Sequence, residues 1–181
     1  DAMNKGLQKA TGDYVWFLNA GDVLAHSNTV KDLAAIAMQN GWPDILYGET
    51  DLMDINGKII AARRLKAPQT LTWKSFRMGM VVCHQAFVTK RSIASAYDLQ
   101  YRFSADFDWC IQCMKAAKTI INSRLRVVNY LYEGLTTANR KASLKERHAI
   151  MCKYYGTFAT NLLHVWFAIR FYWAKWTKKI V

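Results

Sequence analysis

The chain has 181 residues, enough for one domain with a buried core. Its hydrophobic fraction of 52%, with Trp, Tyr and Phe spread along it, excludes a disordered chain. The net charge of +12 calls for an anionic partner, without choosing among nucleic acid, acidic lipid and phosphorylated small molecules.

Residues 2–11 have helical character and stop at Gly12. Residues 14–18 form a continuous apolar run, the kind found in a strand covered on both faces. The run ends on Asn19-Ala20-Gly21-Asp22, which reads in two ways. Asp22 either caps the next helix or serves as the ligand of a metal at the strand's carboxyl end. Asn28 or Thr29 is placed to cap a helix through about Asn40, with Val30, Leu33, Ala34, Ala37 and Met38 on one face. Gly41-Trp42-Pro43 ends it.

Residues 44–53 and 58–62 read as strands around Asp54-Ile55-Asn56-Gly57, and Asn-Gly there marks a hairpin. A short helix over 70–77 leads to a strand over 81–88 that carries His84 and Gln85 at its middle. A polar pair in an apolar strand must find hydrogen-bond partners or line a cavity. Ser104 is placed to cap a helix through about Lys118. Its first turn holds Asp106 and Asp108, suited either to the helix dipole or to acid–base chemistry. Residues 119–132 are extended and 143–155 helical, so the class is α/β or α+β.

Cys83, Cys110, Cys113 and Cys152 form no disulfide-like framework, and no secretory signal opens the sequence, so a reducing, cytoplasmic setting is expected. Cys110 and Cys113 have C-x-x-C spacing, but no second pair completes a zinc site, and structural thiols are expected. Arg140, Lys141, Lys145 and Arg147 read as a solvated helix face, with phosphate contact as the alternative. Residues 157–181 differ in kind from 1–156. Aromatic and aliphatic residues stand there beside Arg170, Lys175, Lys178 and Lys179, and His164 and Arg170 interrupt any membrane span. Tryptophans flanked by lysines suit a helix lying in the membrane interface; the alternative is a terminal helix packed on the domain. No helix-turn-helix, zinc-finger or RNA-binding signature is present, so nucleic acid is not the expected partner.

The segment AMNKGLQKATGDYVWFLNAGD carries a resemblance through Ala2, Asn4, Gly6, Ala10, Gly12, Tyr14, Phe17, Leu18, Asn19 and Asp22. It continues through HQAFVTKR and SADFDW and runs to about Gly156. It resembles the inverting glycosyltransferases of the family 2 type with a GT-A fold, most of all bacterial enzymes building capsule, exopolysaccharide or O-antigen sugars. The resemblance implies a Rossmann-like α/β mixed sheet flanked by helices, N-terminally truncated here, with a C-terminal amphipathic helix. A β-α-β unit of about 80 residues is expected before Asp1, so the chain alone is expected to transfer sugar poorly.

The resemblance also implies roles. Asp22 would hold Mn²⁺ or Mg²⁺ against the diphosphate of a nucleotide sugar, because the leaving group departs with charge that a hard cation offsets. Asn19 and Gly21 stand where many relatives carry carboxylates, and Asn19 can hydrogen-bond ribose or water. Asn4 is implied in donor binding, with Met3 where relatives often have Arg and Lys5 as a substitute charge. Asp106 is the implied base, Ala105 replacing a frequent Glu, and Asp108 a supporting residue on the substrate side. His84 and Gln85 are implied near the acceptor or the diphosphate. The expected partners are a nucleotide-diphosphate sugar, a glycan or polyprenyl-linked acceptor, and a membrane surface reached through the tail. The expected location is peripheral, at the inner face of the plasma membrane. The rivals are a non-catalytic remnant that binds membrane or a partner through the tail, and a basic module that binds membrane or nucleic acid through its charge and aromatics.

Overall fold

The computed structural model describes residues 1–132 and 139–176. In chain order these form α1 (Ala2–Lys9), β1 (Tyr14–Trp16), β2 (Val23–Leu24), α2 (Thr29–Gln39), β3 (Ile45–Met53), β4 (Ile59–Ala62), β5 (Phe87–Lys90), α3 (Ala105–Ala116), β6 (Ile120–Leu131), α4 (Arg140–Tyr155) and α5 (Thr157–Trp176). Three 3-10 turns lie at Trp73–Met78, His84–Ala86 and Arg91–Ile93.

The strands make one mixed sheet in the order β1-β5-β3-β6-β2, with β4 also on β3. β3 and β6 run parallel, and the other pairs are antiparallel. β3 is the centre and is buried along most of its length, the polar Thr50 and Asp51 included. Alternate residues face opposite sides. Ile45 and Tyr47 pack with Phe107, Trp109, Cys110 and Ile111 of α3, whereas Leu46 packs with Leu33 and Ala37 of α2 and Val88 of β5. Helices thus cover both faces of a mixed α/β sheet.

The parallel pair contains a bulge that depends on one glycine. Tyr47 faces Asn122 but Glu49 faces Arg126, so β6 carries two extra residues there. Arg124 adopts φ 59 within it, and the Ser123 hydroxyl donates to the Tyr47 carbonyl at 2.9 Å. A Cβ on Gly48 would sit 2.5 Å from the Leu125 carbonyl oxygen and 2.8 Å from Ser123 Oγ. Backbone cannot yield as a side chain can. Gly48→Ala is therefore expected to cost about 1–3 kcal/mol or more, read as a lowered urea midpoint.

Several local expectations need correction. α1 ends at Ala10, before Gly12. The Thr29 hydroxyl donates to the His26 carbonyl rather than capping α2. Residues 70–77 give a 3-10 turn capped by Thr72 and Ser75. The stretch 81–88 is not one strand. The Ala86 amide donates to the Cys83 carbonyl at 2.9 Å, closing a 3-10 turn, and β5 starts only at Phe87. Leaving the ladder lets the polar His84–Gln85 pair find side-chain partners inside the fold. The Ser104 hydroxyl does not cap α3; it bonds the Ser143 carbonyl of α4 at 3.1 Å. The hairpin at 54–57 forms as its Asn-Gly dictates, with Gly57 at φ 82 and Asp54 Oδ1 accepting from the Asn56 and Lys58 amides.

Candidate active site

After β1 the chain turns on Asn19, whose carbonyl accepts the Asp22 amide at 3.1 Å. Gly21 makes the turn at φ 92, and a Cβ there would come within 2.7 Å of Leu131 Cδ2. Asp22 does not cap a helix: it precedes β2, and α2 begins seven residues later. Its carboxylate is held from two sides. Oδ1 accepts the Leu131 amide at 3.0 Å, and Oδ2 accepts the Gln85 side-chain amide at 2.7 Å.

Gln85 is buried and fully engaged. Its Oε1 accepts the Cys83 thiol at 2.8 Å, and its carbonyl accepts Trp16 Nε1–H at 2.6 Å. Burial pushes the Cys83 pKa up, against the pull of the Arg63 charge, so the thiol keeps its proton to donate. Gln85 therefore fixes Asp22 in place, and its own polar groups are occupied in doing so.

His84 is 3% exposed and bonds the Tyr97 hydroxyl through Nε2 at 2.6 Å. Its ring packs against those of Phe17 and Trp109, which also meet each other, and Tyr97 stacks on Trp109 at 4.8 Å. Burial pushes the His84 pKa below its ordinary value, and the charges of Asp106 and Asp22 oppose this without reversing it. The unfolded chain binds this proton more readily, so stability rises with pH up to about 6.5 and is lost as pH falls toward the folded pKa. Chemical denaturation is expected to show that acid-side loss in the wild type and a smaller one in His84→Gln.

Asn4 reaches the same place from α1. Its side-chain amide donates to the Tyr97 carbonyl at 2.9 Å, and its Oδ1 accepts the Tyr97 amide at 2.7 Å. Both ends are engaged with backbone, so Asn4 positions Tyr97 and through it His84. The Asn19 side chain is exposed beside the Asp22 turn.

Asp106 stands half-buried in the first turn of α3. Its Oδ1 accepts the Phe107 amide at 2.8 Å, and Oδ2 has no partner among the described residues. Its charge reaches His84, Cys83 and Tyr130, and so does that of Asp22. Two carboxylates from separate elements thus act on one patch. Asp108, two residues on, belongs elsewhere. It is fully buried, bonded to Gln112 and paired with Lys153 of α4 at 3.1 Å. Burial lowers the Lys153 pKa, but the Asp108 hydrogen bond and charge outweigh it and the net shift is upward. The pair joins α3 to α4 and leaves Asp108 no exposed oxygen for a substrate.

The sequence pattern gave no sign of three further residues. Tyr97 sits in an irregular segment outside any motif. Arg63 follows β4 and donates to the Met80 carbonyl at 2.7 Å, bringing its positive charge to bear on Cys83 and Tyr130. Glu146 of α4 accepts the amides of Arg102, Phe103 and Ser104 at 3.0, 2.8 and 2.9 Å, holding the loop that leads to Asp106. Arg147 is not a solvated basic residue: its guanidinium lies 5.6 Å over the Phe107 ring. Lys141 and Lys145 are exposed, and the Arg140 side chain lies outside the described residues. Cys110 and Cys113 are fully buried free thiols, and burial pushes Cys113 to about 12.

Among the described residues no three His, Cys, Asp or Glu side chains gather as a metal cluster. Asp22 nevertheless fits a Mg²⁺ or Mn²⁺ held largely by phosphate. Each of its oxygens accepts one N–H and keeps a lone pair, and Mg²⁺ commonly takes one or two carboxylates beside phosphate and water oxygens.

No family model matches the chain. Over 116 residues it is 33% identical to a PGL/p-HBAD biosynthesis glycosyltransferase of Mycobacterium bovis (strain BCG / Pasteur 1173P2), covering 62% of this chain and 42% of that protein. It is 28% identical, with the same coverage, to a protein of Mycobacterium tuberculosis (strain ATCC 25618 / H37Rv) named only as an uncharacterized glycosyltransferase. The match thus spans less than half the length of these relatives. Among solved structures, S. aureus TarS 1-349 superposes with a TM-score of 0.56 at 14% identity, over 88% of this chain and 47% of that one. TarS 1-349 in complex with UDP gives 0.57 at 13% identity, with the same coverage. The chain therefore shares the TarS fold and is similar in sequence to proteins named as glycosyltransferases.

Proposed function

We propose that this chain carries the donor turn and the base of an inverting glycosyltransferase of the family 2 type with a GT-A fold. The reaction moves a sugar from a nucleotide-diphosphate donor to a glycan or polyprenyl-linked acceptor in bacterial cell-surface polysaccharide synthesis. The relatives' names and the UDP bound to TarS support the substrate class. One observation of this chain carries the reading. The Asp22 carboxylate at the end of the turn is held by two N–H donors, one from Gln85 beside the buried His84, and Asp106 in the first turn of α3 keeps an oxygen open.

In this reading Asp22 holds Mg²⁺ or Mn²⁺, which when bound offsets the charge of the departing diphosphate. Gln85 and the Leu131 amide fix the Asp22 carboxylate, so its direction is set before a donor arrives. Asp106 Oδ2 accepts the proton of the acceptor hydroxyl as that oxygen bonds to the anomeric carbon. The bond to the diphosphate oxygen breaks on the opposite face, and configuration inverts. His84 and Tyr97, hydrogen-bonded to each other and walled by Phe17 and Trp109, give the two carboxylates a rigid backing.

The test uses the complete gene product, a panel of nucleotide sugars and NMR of the new linkage. An inverted anomeric carbon is the expected result. Retained configuration, or no transfer from any donor with acceptors drawn from the source cells, contradicts the reading.

A further inference from the structure

The last described helix has two apolar faces. After the turn at Gly156, φ 84, α5 lies against α4 through Thr160, Leu163, His164 and Phe167. On its other side Phe158 is 85% exposed, Leu162 63%, Val165 57%, Trp166 53%, Ile169 53%, Trp173 65% and Trp176 80%. At 3.6 residues per turn these seven positions fall within an arc of about 100°, a stripe about 27 Å long. Single exposed apolar residues are ordinary on a protein surface, but a continuous stripe of this length marks an interaction site.

The charge around it selects the partner. No acidic residue follows Glu146; on α5 Arg170 is exposed and Lys175, Lys178 and Lys179 come after it, whereas Arg147 and Lys153 of α4 are engaged with Phe107 and Asp108. Residues 177–181 and the Lys175 side chain lie outside the described residues, so Lys178 and Lys179 enter by sequence alone. A second copy of α5 would set positive charge against positive charge. No helix among the described residues is long and apolar enough to cross a membrane. Aromatic anchors, an apolar stripe one helix face wide and cations without acids together match an anionic bilayer surface.

We infer that α5 docks this protein on an anionic membrane surface, with the Phe158–Trp176 stripe in the headgroup–acyl boundary and the exposed Arg170 beside it at the lipid phosphates. This inference does not depend on the transferase reading. It would place the chain beside a lipid-linked substrate, but it stands on the helix alone.

The test is flotation of the 181-residue protein with phosphatidylcholine vesicles, with and without phosphatidylglycerol. The wild type is compared with Leu162→Glu/Trp166→Glu/Ile169→Glu, and circular dichroism checks that both fold. The wild type is expected to float with the anionic vesicles, and the triple variant to lose about tenfold or more of that binding with its melting transition retained. Phe158→Glu/Trp176→Glu, altered at the two ends of the stripe, is expected to behave likewise and replaces the triple variant should that one not fold. Absence of wild-type flotation overturns the inference, as does equal flotation of a folded variant. So does a dimer in sedimentation equilibrium that the variant dissolves without any vesicle binding, which would assign the stripe to a second copy.

Discussion

Asp106→Asn in the complete gene product is expected to lower kcat by about 10²–10⁴-fold, the range a positioned general base contributes. The substitution is nearly isosteric, and Oδ1 can still accept the Phe107 amide, so the first turn of α3 should keep its geometry. Asn cannot take up the acceptor proton. The deficit therefore belongs in kcat, with little change in donor KM and no shift of the unfolding midpoint. A kcat within tenfold of wild type would remove Asp106 from the base position. A large fall in stability would show that the residue holds the helix rather than the reaction.

Glu146→Ala is expected to reach the same reaction through the fold. One carboxylate accepts three successive backbone amides ahead of α3, and Ser104 among them is fully buried. Hydrogen bonds to a charged acceptor are worth more than neutral ones, and buried amides left without a partner add a desolvation penalty. The exposed Arg102 amide can turn to water, so the loss is dominated by Phe103 and Ser104. About 3 kcal/mol by urea denaturation is the expected cost. Ser104 is two residues from Asp106, so kcat should fall as well. Glu146→Gln retains one acceptor oxygen and should lie between the two. Lys145→Ala, on an exposed neighbour, should change stability little.

Much of this architecture was legible because it is local. The hairpin at 54–57 follows from Asn-Gly, β1 from the continuous apolar run at 14–18, and the Asp22 turn from a strand stopping on a Gly-Asp pair. Contacts made at long range were not legible. Asp106 and Asp108 look equivalent in sequence, yet they point to different faces of α3. Only Lys153, 45 residues later, decides that Asp108 is an internal pair. The polar pair His84–Gln85 within an apolar stretch calls for partners. Their departure from the strand depends on the neighbouring Cys83 and on Tyr97, Trp16 and Asp22, which are 13 to 69 residues away. Asn4 fits a donor-binding motif, but the backbone of Tyr97, 93 residues away, takes both ends of its side chain. Glu146 was hidden in a basic run, where charge counting sees a lone acid and the fold needs an acceptor. The tail reads as one apolar and basic segment, and only packing separates the face on α4 from the face in solvent.

The central claim is that the turn at Asp22 receives the diphosphate of a nucleotide donor. The most direct test is calorimetric titration of a panel of nucleoside diphosphates, with Mn²⁺, into the complete gene product and its Asp22→Asn variant. The expected result is that one nucleotide binds the wild type and that Asp22→Asn weakens it about tenfold or more, since a charged ligand oxygen is lost from the cation. Equal affinity in the two proteins, or no binding of any nucleotide by the wild type, would contradict it.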